Sequence, residues 1–449
     1  MSDTNRANMN RRRFLKNSAV GMGAVGAGLL EITGGNLLNA QTEKNQQQPE
    51  TNKPLKIKEY RTLGRTGFKV SDISTGYVKD PAVLEQLLDA GVNYIDTAES
   101  YGNEPVVGKV VKKRDRKSVF ITSKLWIDPK KDVSKEEFLA RVHKCLERLQ
   151  TDYIDCMMVH GPENVKTIKN EAFHAAMQQL KREGRLRFVG ISNHGSNWYK
   201  DPEESMEKIL LAAAADGRFD VMLLAYNFIQ EDNGANVLKV CREKNIGTTL
   251  MKVNPIGSIP RLKERIEKLK KEGKEVDKSL PAMIARFEAK EKRAQGFIKK
   301  YKLDNAKKMR EAAIRFVLSN PDTHTVCCAF RSFDHLENYI PLSGTRLSDM
   351  EKKQLAAYKE GCGSLYCRHA CGLCEPACPY QVPVNAIMRY NHYFEAQGKE
   401  KFAMKSYAQL PGAKADLCAA CSGFCEGACP YEVPVQGLLN LAHHTLTLA

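Results

Sequence analysis

The sequence predicts an α/β protein built on a parallel eight-stranded (β/α)8 (TIM) barrel, followed by a small, mostly α-helical, cysteine-rich domain. Three observations predict it. Short apolar runs alternate with helical patterns eight times between residues 58 and 345, polar groups recur where those runs end, and a cysteine-bearing segment near the carboxyl terminus repeats itself. Strands separated by helices lie parallel, and eight of them over this length close on themselves more readily than they form an open sheet. A doubly wound open sheet is the alternative, but no G-x-G-x-x-G follows the first strand pattern.

The chain has 449 residues, 42% of them apolar, enough for two or three domains with a substantial core. Residues 1–40 read as an export signal: Arg11-Arg12-Arg13-Phe14-Leu15-Lys16 precedes an apolar, Gly-rich run from Ala19 to Leu30, and Ala40 offers a small residue for cleavage. The arginine pair followed by Phe-Leu-Lys looks like a twin-arginine signal, which places the mature protein in the periplasm or otherwise outside the cytoplasm; an ordinary secretory signal is the alternative. The uncharged stretch Ser18–Leu30 is too short for a bilayer span, which needs about 20 residues. Residues 41–57 form a polar linker.

Strand patterns fall at 69–78, 93–96, 119–123, 153–159, 186–191, 220–226, 247–253 and 325–330. Helical periodicity lies between them in Pro81–Ala90, Ser134–Leu149, Glu171–Glu183, Met206–Ala215, Gly234–Lys244 and Ala306–Leu318, with a capping-box spacing at Ser134 and Glu137. A parallel barrel places its reacting groups where strands end, on the carboxyl-terminal face. Strand two ends in Asp96, strand three in Lys124, strand four in His160, strand five in Ser192 and Asn193, and strand seven in Lys252. Any one could be structural, but five strand ends bearing such groups on one face are not coincidence.

Lys and Arg number 69 against 53 Asp and Glu, a formal charge of +16, and residues 259–310 alone carry 18 basic and 8 acidic residues. That segment reads as a charged helical insertion after strand seven. It is either a solvated hairpin or a surface that attracts an anionic substrate. No further basic patch with interleaved aromatics occurs, so a nucleic-acid partner is not expected.

Four motifs appear in order: Ile95-Asp96-Thr97-Ala98-Glu99-Ser100-Tyr101-Gly102, Ile121-Thr122-Ser123-Lys124-Leu125-Trp126, Asp152 to His160, and Val189-Gly190-Ile191-Ser192-Asn193. Together they resemble the aldo-keto reductase family over about residues 58–340. The resemblance implies reduction of small carbonyl or sugar-like substrates, or the reverse oxidation, with NADP or NAD. It implies Tyr101 as proton donor, Lys124 and Asp96 beside it, and His160 over the substrate. By the same resemblance Ser192, Asn193, Tyr226, Lys252, Arg331, Glu337 and Asn338 serve the cofactor. Two features depart from the family: Leu223 stands where a Gln is common, and Cys327-Cys328-Ala329-Phe330-Arg331 stands where a Gly or Lys is usual. The chemistry explains the tetrad independently. Hydride arriving at a carbonyl carbon puts charge on the oxygen, which needs a proton within hydrogen-bond reach. A free tyrosine, with pKa about 10, is a weak donor, and a nearby ammonium lowers that value.

Nine of the 14 cysteines lie between Cys362 and Cys429. Cys374-Glu375-Pro376-Ala377-Cys378-Pro379-Tyr380 recurs 51 positions later as Cys425-Glu426-Gly427-Ala428-Cys429-Pro430-Tyr431; Cys367 and Cys418 keep that offset, while Cys371 and Cys421 miss it by one. These runs resemble the ligand runs of two-cluster ferredoxins, in which the fourth cysteine serves the other cluster. The resemblance implies two [4Fe-4S] clusters, one on Cys367, Cys371, Cys374 and Cys429, the other on Cys418, Cys421, Cys425 and Cys378, with Cys362 spare. Helical patterns at Val384–Phe394 and Val435–Leu446 follow the two prolines. Disulfides and tetrahedral zinc are the competing readings. A redox partner protein is an open possibility. So is a barrel that has given up catalysis and serves an iron-sulfur electron-transfer or binding protein, although the complete tetrad argues against it.

Overall fold

The computed structural model describes residues 54–194, 204–255, 305–369, 371–395 and 399–447, with isolated positions between 271 and 300. The signal segment 1–40, most of the 41–57 linker and most of the charged 259–310 insertion lie outside the described residues. Residues Pro54–Ala449 form one compact unit. No described helix is long and apolar enough to cross a membrane.

Eight parallel strands close into a barrel: β3 (Ile73–Thr75), β4 (Tyr94–Asp96), β5 (Phe120–Leu125), β6 (Ile154–His160), β7 (Leu186–Asn193), β8 (Val221–Ala225), β9 (Gly247–Met251) and β10 (Thr325–Cys328). Each pairs with the next, and β10 closes onto β3 through Val326↔Ile73. The predicted strand at 69–78 is in fact two. β2 (Lys69–Ser71) pairs antiparallel with β1 (Tyr60–Thr62) in a hairpin, and the chain changes partners at Asp72. There the amide bonds Glu59 O at 3.1 Å in the hairpin, while the carbonyl receives Val326 N at 2.8 Å from the barrel. The Asp72 carboxylate holds this corner by accepting from Ser343 Oγ (2.6 Å) and Gly344 N (2.7 Å).

Residue parity along the strands decides which side chains point inward. Tyr94, Phe120, Cys156, Met158, Val221 and Leu223 share the barrel interior. The Phe120 ring stacks between Tyr94 (5.4 Å) and Phe188 (6.1 Å), so the lower barrel is packed solid. Gly190 is inward too, and a Cβ there would stand 2.8 Å from Cys156 Sγ, Met158 Cγ and Val221 O. Ile95, Ile121, Met157, Ile191, Met222 and Leu224 point outward and pack beneath the helices. The predicted helices form as Pro81–Asp89, Lys135–Leu149, Glu171–Arg182, Met206–Asp216, Asp232–Glu243 and Ala306–Ser319. Asp80, Ser134, Asn170, Ser205 and Asn305 cap five of them with side-chain oxygens, satisfying amide groups that a helix start leaves unpaired.

Beyond the barrel, helix Asp349–Cys362 begins with a full capping box between Ser348 and Glu351. It packs Leu355 and Tyr358 against Met309 and Phe228. Helices Val384–Glu395, Glu400–Ala408 and Val435–Leu446 then enclose a second apolar cluster around Val382, Ile387, Ala403 and Leu439. The first and third are the two predicted after the repeated prolines. Helix Glu400–Ala408 was not foreseen, because its apolar stripe is broken by Lys401 and Lys405.

Candidate active site

The inward parity of β4, β5, β6 and β7 continues to their carboxyl ends, where it delivers Asp96, Lys124, His160 and Ser192 to one mouth. Registers Asp96↔Thr122 and His160↔Ser192 keep those ends level. Lys124 Nζ lies 2.7 Å from Asp96 Oδ2 and 2.6 Å from Thr97 O, and its side chain is 1% exposed. A buried ammonium is tolerable only with such partners. Its Nζ also sits 4.8 Å from the centroid of the Tyr101 ring. The Tyr101 and His160 rings meet edge to face at 5.6 Å, and Tyr77 meets Tyr101 edge to face at 5.7 Å.

The loop that carries Tyr101 is tied at several points. Thr97 N and Glu99 N donate to Thr122 O (2.8 Å) and Lys124 O (3.2 Å), extending the β4–β5 ladder. Asn103 is fully buried, accepts from Thr97 Oγ1 at 2.6 Å and donates to Val78 O at 2.9 Å, joining this loop to the one after β3. Glu99 pairs with Arg141 and accepts from Trp126 N at 3.1 Å. Glu104, also fully buried, accepts from Ser123 Oγ at 2.7 Å and Arg148 Nε at 2.6 Å. These bracing residues were missed in the sequence. The only signal among them is at the start of helix Glu104–Val111, where Asn103 is the N-cap and Glu104 the first residue.

Burial pushes the Tyr101 phenol up to about 12, with the Lys124 ammonium opposing it. Burial also works against the Lys124 ammonium, but Asp96 and then Tyr101 hold it above its ordinary value, so it stays charged. Burial, then Lys124, pushes His160 down to about 3, leaving a neutral imidazole. The mouth therefore holds a protonated phenol beside a fixed cation and a neutral ring able to donate or accept one hydrogen bond. Such a site can pass a proton to or from an oxygen.

Of the residues expected at a cofactor, Ser192 and Asn193 end β7 buried, with Asn193 Nδ2 donating to Pro162 O at 3.2 Å. Lys252 follows β9 in a left-handed conformation, φ 58°, which breaks strand parity at the mouth. Its Nζ lies 5.1 Å over the Tyr393 ring, and burial together with Arg389 pushes it down to about 7. Arg331 follows β10, while Glu337 and Asn338 lie on helix Phe333–Tyr339. Tyr226 is elsewhere. It follows the outward parity of Met222 and Leu224, stacks on Phe316 at 5.7 Å and receives a hydrogen bond from Asn320 Nδ2 at 3.1 Å, so the structure does not bring it to the others.

The cysteine repeat is also a structural repeat. Glu375 Oε1 accepts from Asn385 N (2.7 Å), and 51 residues on Glu426 Oε2 accepts from Gln436 N (3.3 Å). Gln381 and Glu432 both turn the chain through left-handed conformations, φ 53° and 52°. Asn385 Nδ2 donates to Arg368 O (2.7 Å) and reaches Cys367 Sγ at 3.6 Å, while Gln436 Nε2 donates to Cys418 O (3.1 Å). The thirteen cysteines whose side chains are described are free thiols. Cys367, Cys371, Cys374 and Cys429 line one cavity with Arg368 and Tyr431. Burial pushes the Cys418 and Cys425 thiols up to about 12, with the neighbouring Cys378 and Cys421 side chains adding to it. Cys374 of the first set also lies near enough to Cys425 of the second to feel it. No three His, Cys, Asp or Glu side chains among the described residues are close enough to enclose a metal ion as they stand.

A closed parallel barrel with a tyrosine, lysine, aspartate and histidine gathered at its carboxyl-terminal mouth defines the class: a (β/α)8-barrel oxidoreductase. The model of the aldo/keto reductase family matches residues 62–360, and the chain belongs to that family. The match ends before the cysteine repeat. Among curated relatives, aldo-keto reductase YhdN of Bacillus subtilis (strain 168) is 26% identical over 325 residues, covering 66% of this chain and 92% of that protein. Methylglyoxal reductase DkgB of Salmonella typhi is 32% identical over 149 residues, 32% of this chain, and the match spans only 52% of that relative's length. Among solved structures, an aldo/keto reductase from Klebsiella pneumoniae in complex with NADP and acetate is 20% identical at a TM-score of 0.46, covering 67% of this chain and 94% of its own.

Proposed function

We propose that this chain is an exported carbonyl reductase or alcohol dehydrogenase that uses NADP or NAD, with Tyr101 as the general acid or base, and that its carboxyl-terminal repeat holds two [4Fe-4S] clusters. The observation that carries the catalytic reading is the convergence of Tyr101, Lys124, Asp96 and His160 at one mouth. Ser192 and Asn193 would hold a nicotinamide, which would supply or accept the hydride when bound. Tyr101 gives its proton to the substrate oxygen in reduction and takes it back in oxidation. Lys124, fixed by Asp96 and Thr97 O, stabilises the phenolate left behind. Neutral His160 orients the carbonyl through a second hydrogen bond, and its low basicity prevents it from competing as a charged donor. Small carbonyl substrates are consistent with the names of the matched relatives.

For the repeat, the donor set fits iron and sulfide: two groups of four thiols, each braced by a carboxamide at the same place in the repeat. The grouping Cys367, Cys371, Cys374, Cys429 and Cys418, Cys421, Cys425, Cys378 is the one the ferredoxin resemblance implies, and the shared cavity of the first four supports it. Bound clusters supply one-electron chemistry. Export by the twin-arginine route would let such clusters be inserted before translocation.

The test is Tyr101→Phe. Turnover of an aldehyde should fall by at least two orders of magnitude with nucleotide affinity nearly unchanged, and reduction at the wild-type rate would remove the catalytic reading. Anaerobic purification followed by iron, sulfide and nucleotide analysis tests the rest. Colourless protein containing zinc or disulfides would remove the clusters.

A further inference from the structure

We infer that the substrate carries, besides its carbonyl, an anionic group, a carboxylate or a phosphate, held by Lys399 and Lys79 between the rings of Tyr77 and Tyr393. This rests on the carbonyl-reductase reading and deepens it.

Two tyrosines that the tetrad does not use stand over it. Tyr77, from the loop after β3, meets Tyr101 at 5.7 Å. Tyr393 projects from helix Val384–Glu395 of the cysteine-rich part and lies near enough to act on the Tyr101 phenol. Lys399 Nζ sits between them, 5.1 Å from the Tyr77 ring and 5.4 Å from the Tyr393 ring. Its backbone is fixed by a 3.0 Å bond from Lys399 N to Tyr393 O. Lys79 Nζ approaches Tyr77 at 5.4 Å, and Arg389 approaches Tyr393 at 5.5 Å on the same side chain that Lys252 covers at 5.1 Å. Five basic side chains, counting Arg331, therefore gather beside one proton-transfer site.

Such a gathering is unfavourable by itself. Burial weakens the Lys399 ammonium, and Lys252, Arg331 and Lys79 all repel it. Among the described residues neither Lys79 nor Lys399 is in an ion pair; Asp96 and Glu99 are paired with Lys124 and Arg141, and Asp80 caps the helix at Ala82. Phenol faces ease the repulsion through cation–π contact but do not neutralise it. An anion placed there does, and ammonium groups beside a partly desolvated site bind one more strongly than they would in open water. Lys252 and Arg331 follow strands on the side where a nucleotide is expected, whereas Lys79 and Lys399 flank Tyr77, next to the reacting phenol. The anion they hold accordingly belongs to the substrate, with a few carbon atoms between it and the carbonyl.

The experiment compares kcat/KM for succinic semialdehyde (carboxylate), glyceraldehyde 3-phosphate (phosphate) and butanal (neutral), using the full-length purified protein with saturating nucleotide. Wild type should prefer at least one anionic aldehyde over butanal by tenfold or more, and whichever is preferred identifies the anion. Lys399→Gln should cut that preference at least fivefold, mainly through KM, and added salt should reduce it in wild type. Equal kcat/KM for all three in wild type, or an unchanged preference in Lys399→Gln, overturns the inference. So does a loss confined to nucleotide affinity, which would assign these cations to the cofactor. Calorimetric binding of succinate and inorganic phosphate, which needs no turnover, separates the two claims. An inactive protein that binds either anion in a Lys399-dependent way loses the reductase reading and keeps the anion site. A protein active on butanal that binds neither loses the site and keeps the reading.

Discussion

Replacing Lys124 by methionine removes one charge from the centre of the site while keeping most of the side chain's length. With the ammonium 4.8 Å from the Tyr101 ring centroid and an effective dielectric of about 20, its attraction for a phenolate is about 3 kcal/mol, or about two pKa units. The Tyr101 phenol, already raised to about 12 by burial, should move higher by that amount. In alcohol oxidation Tyr101 must act as a base, so the rate rises with pH below that pKa. The Lys124→Met profile should therefore shift to the alkaline side, with oxidation at pH 9 falling about 10- to 100-fold, the smaller figure applying if the stronger base compensates in part. Carbonyl reduction, which uses the protonated phenol, should lose less. The assay is the pH dependence of kcat in both directions at saturating nucleotide. Stability should also drop, because Asp96 is left buried without its ion pair, and its Oδ1 has no hydrogen-bond partner among the described residues. Removing one partner of a buried pair costs about 3–5 kcal/mol, and adding Asp96→Asn should recover part of it. Superimposable oxidation profiles for wild type and Lys124→Met would refute the argument that this ammonium sets the acidity of Tyr101.

Cys378→Ser should take iron from the group containing Cys418, Cys421 and Cys425, lowering the content from about eight to about four irons per chain. If instead the cavity of Cys367, Cys371, Cys374 and Cys429 empties, the crossed ligand assignment fails. Asp155 is fully buried and accepts from Arg116 Nη2 (2.7 Å), Arg187 Nη1 (2.9 Å) and Ile121 N (2.9 Å). Asp155→Ala should destabilise the barrel by about 3–5 kcal/mol in urea. It should leave kcat per folded molecule intact, since the site is at the other end of β6. His324 is pushed down to about 4 by burial, with Arg61 adding to it, and its Nδ1 accepts from Thr248 N at 3.0 Å. The unfolded chain takes up this proton near pH 6.5, so the stability from neutral His324 is present above that pH and is lost as pH falls toward 4. The urea midpoint should be lower at pH 5 than at pH 7.5, with a smaller difference in His324→Asn.

Much of the site was legible because strand ends in a parallel barrel share one face: reading Asp96, Lys124, His160 and Ser192 as strand-terminal residues suffices to bring them together. The 51-residue offset seen in the cysteine runs extends in the structure to Asn385 and Gln436, which take equivalent places in the two copies. Parity also explains what went astray. Tyr226 lies just past a strand end, but its even-numbered position points it into the helix layer. The run 69–78 read as one strand because nothing local marks Asp72 as the residue at which the hydrogen-bond partner changes.

The sequence alone determined the barrel and the duplication through spacing, and brought Asp96, Lys124 and His160 together as strand ends, while Tyr101 came from the resemblance of its motif to the aldo-keto reductase family. Only the tertiary structure decided that the cysteine-rich part meets the barrel mouth, with Lys399 over the ring of Tyr77, 322 positions earlier. Contacts of that span depend on how two apolar surfaces fit together, and no period, cap or turn in the chain encodes it.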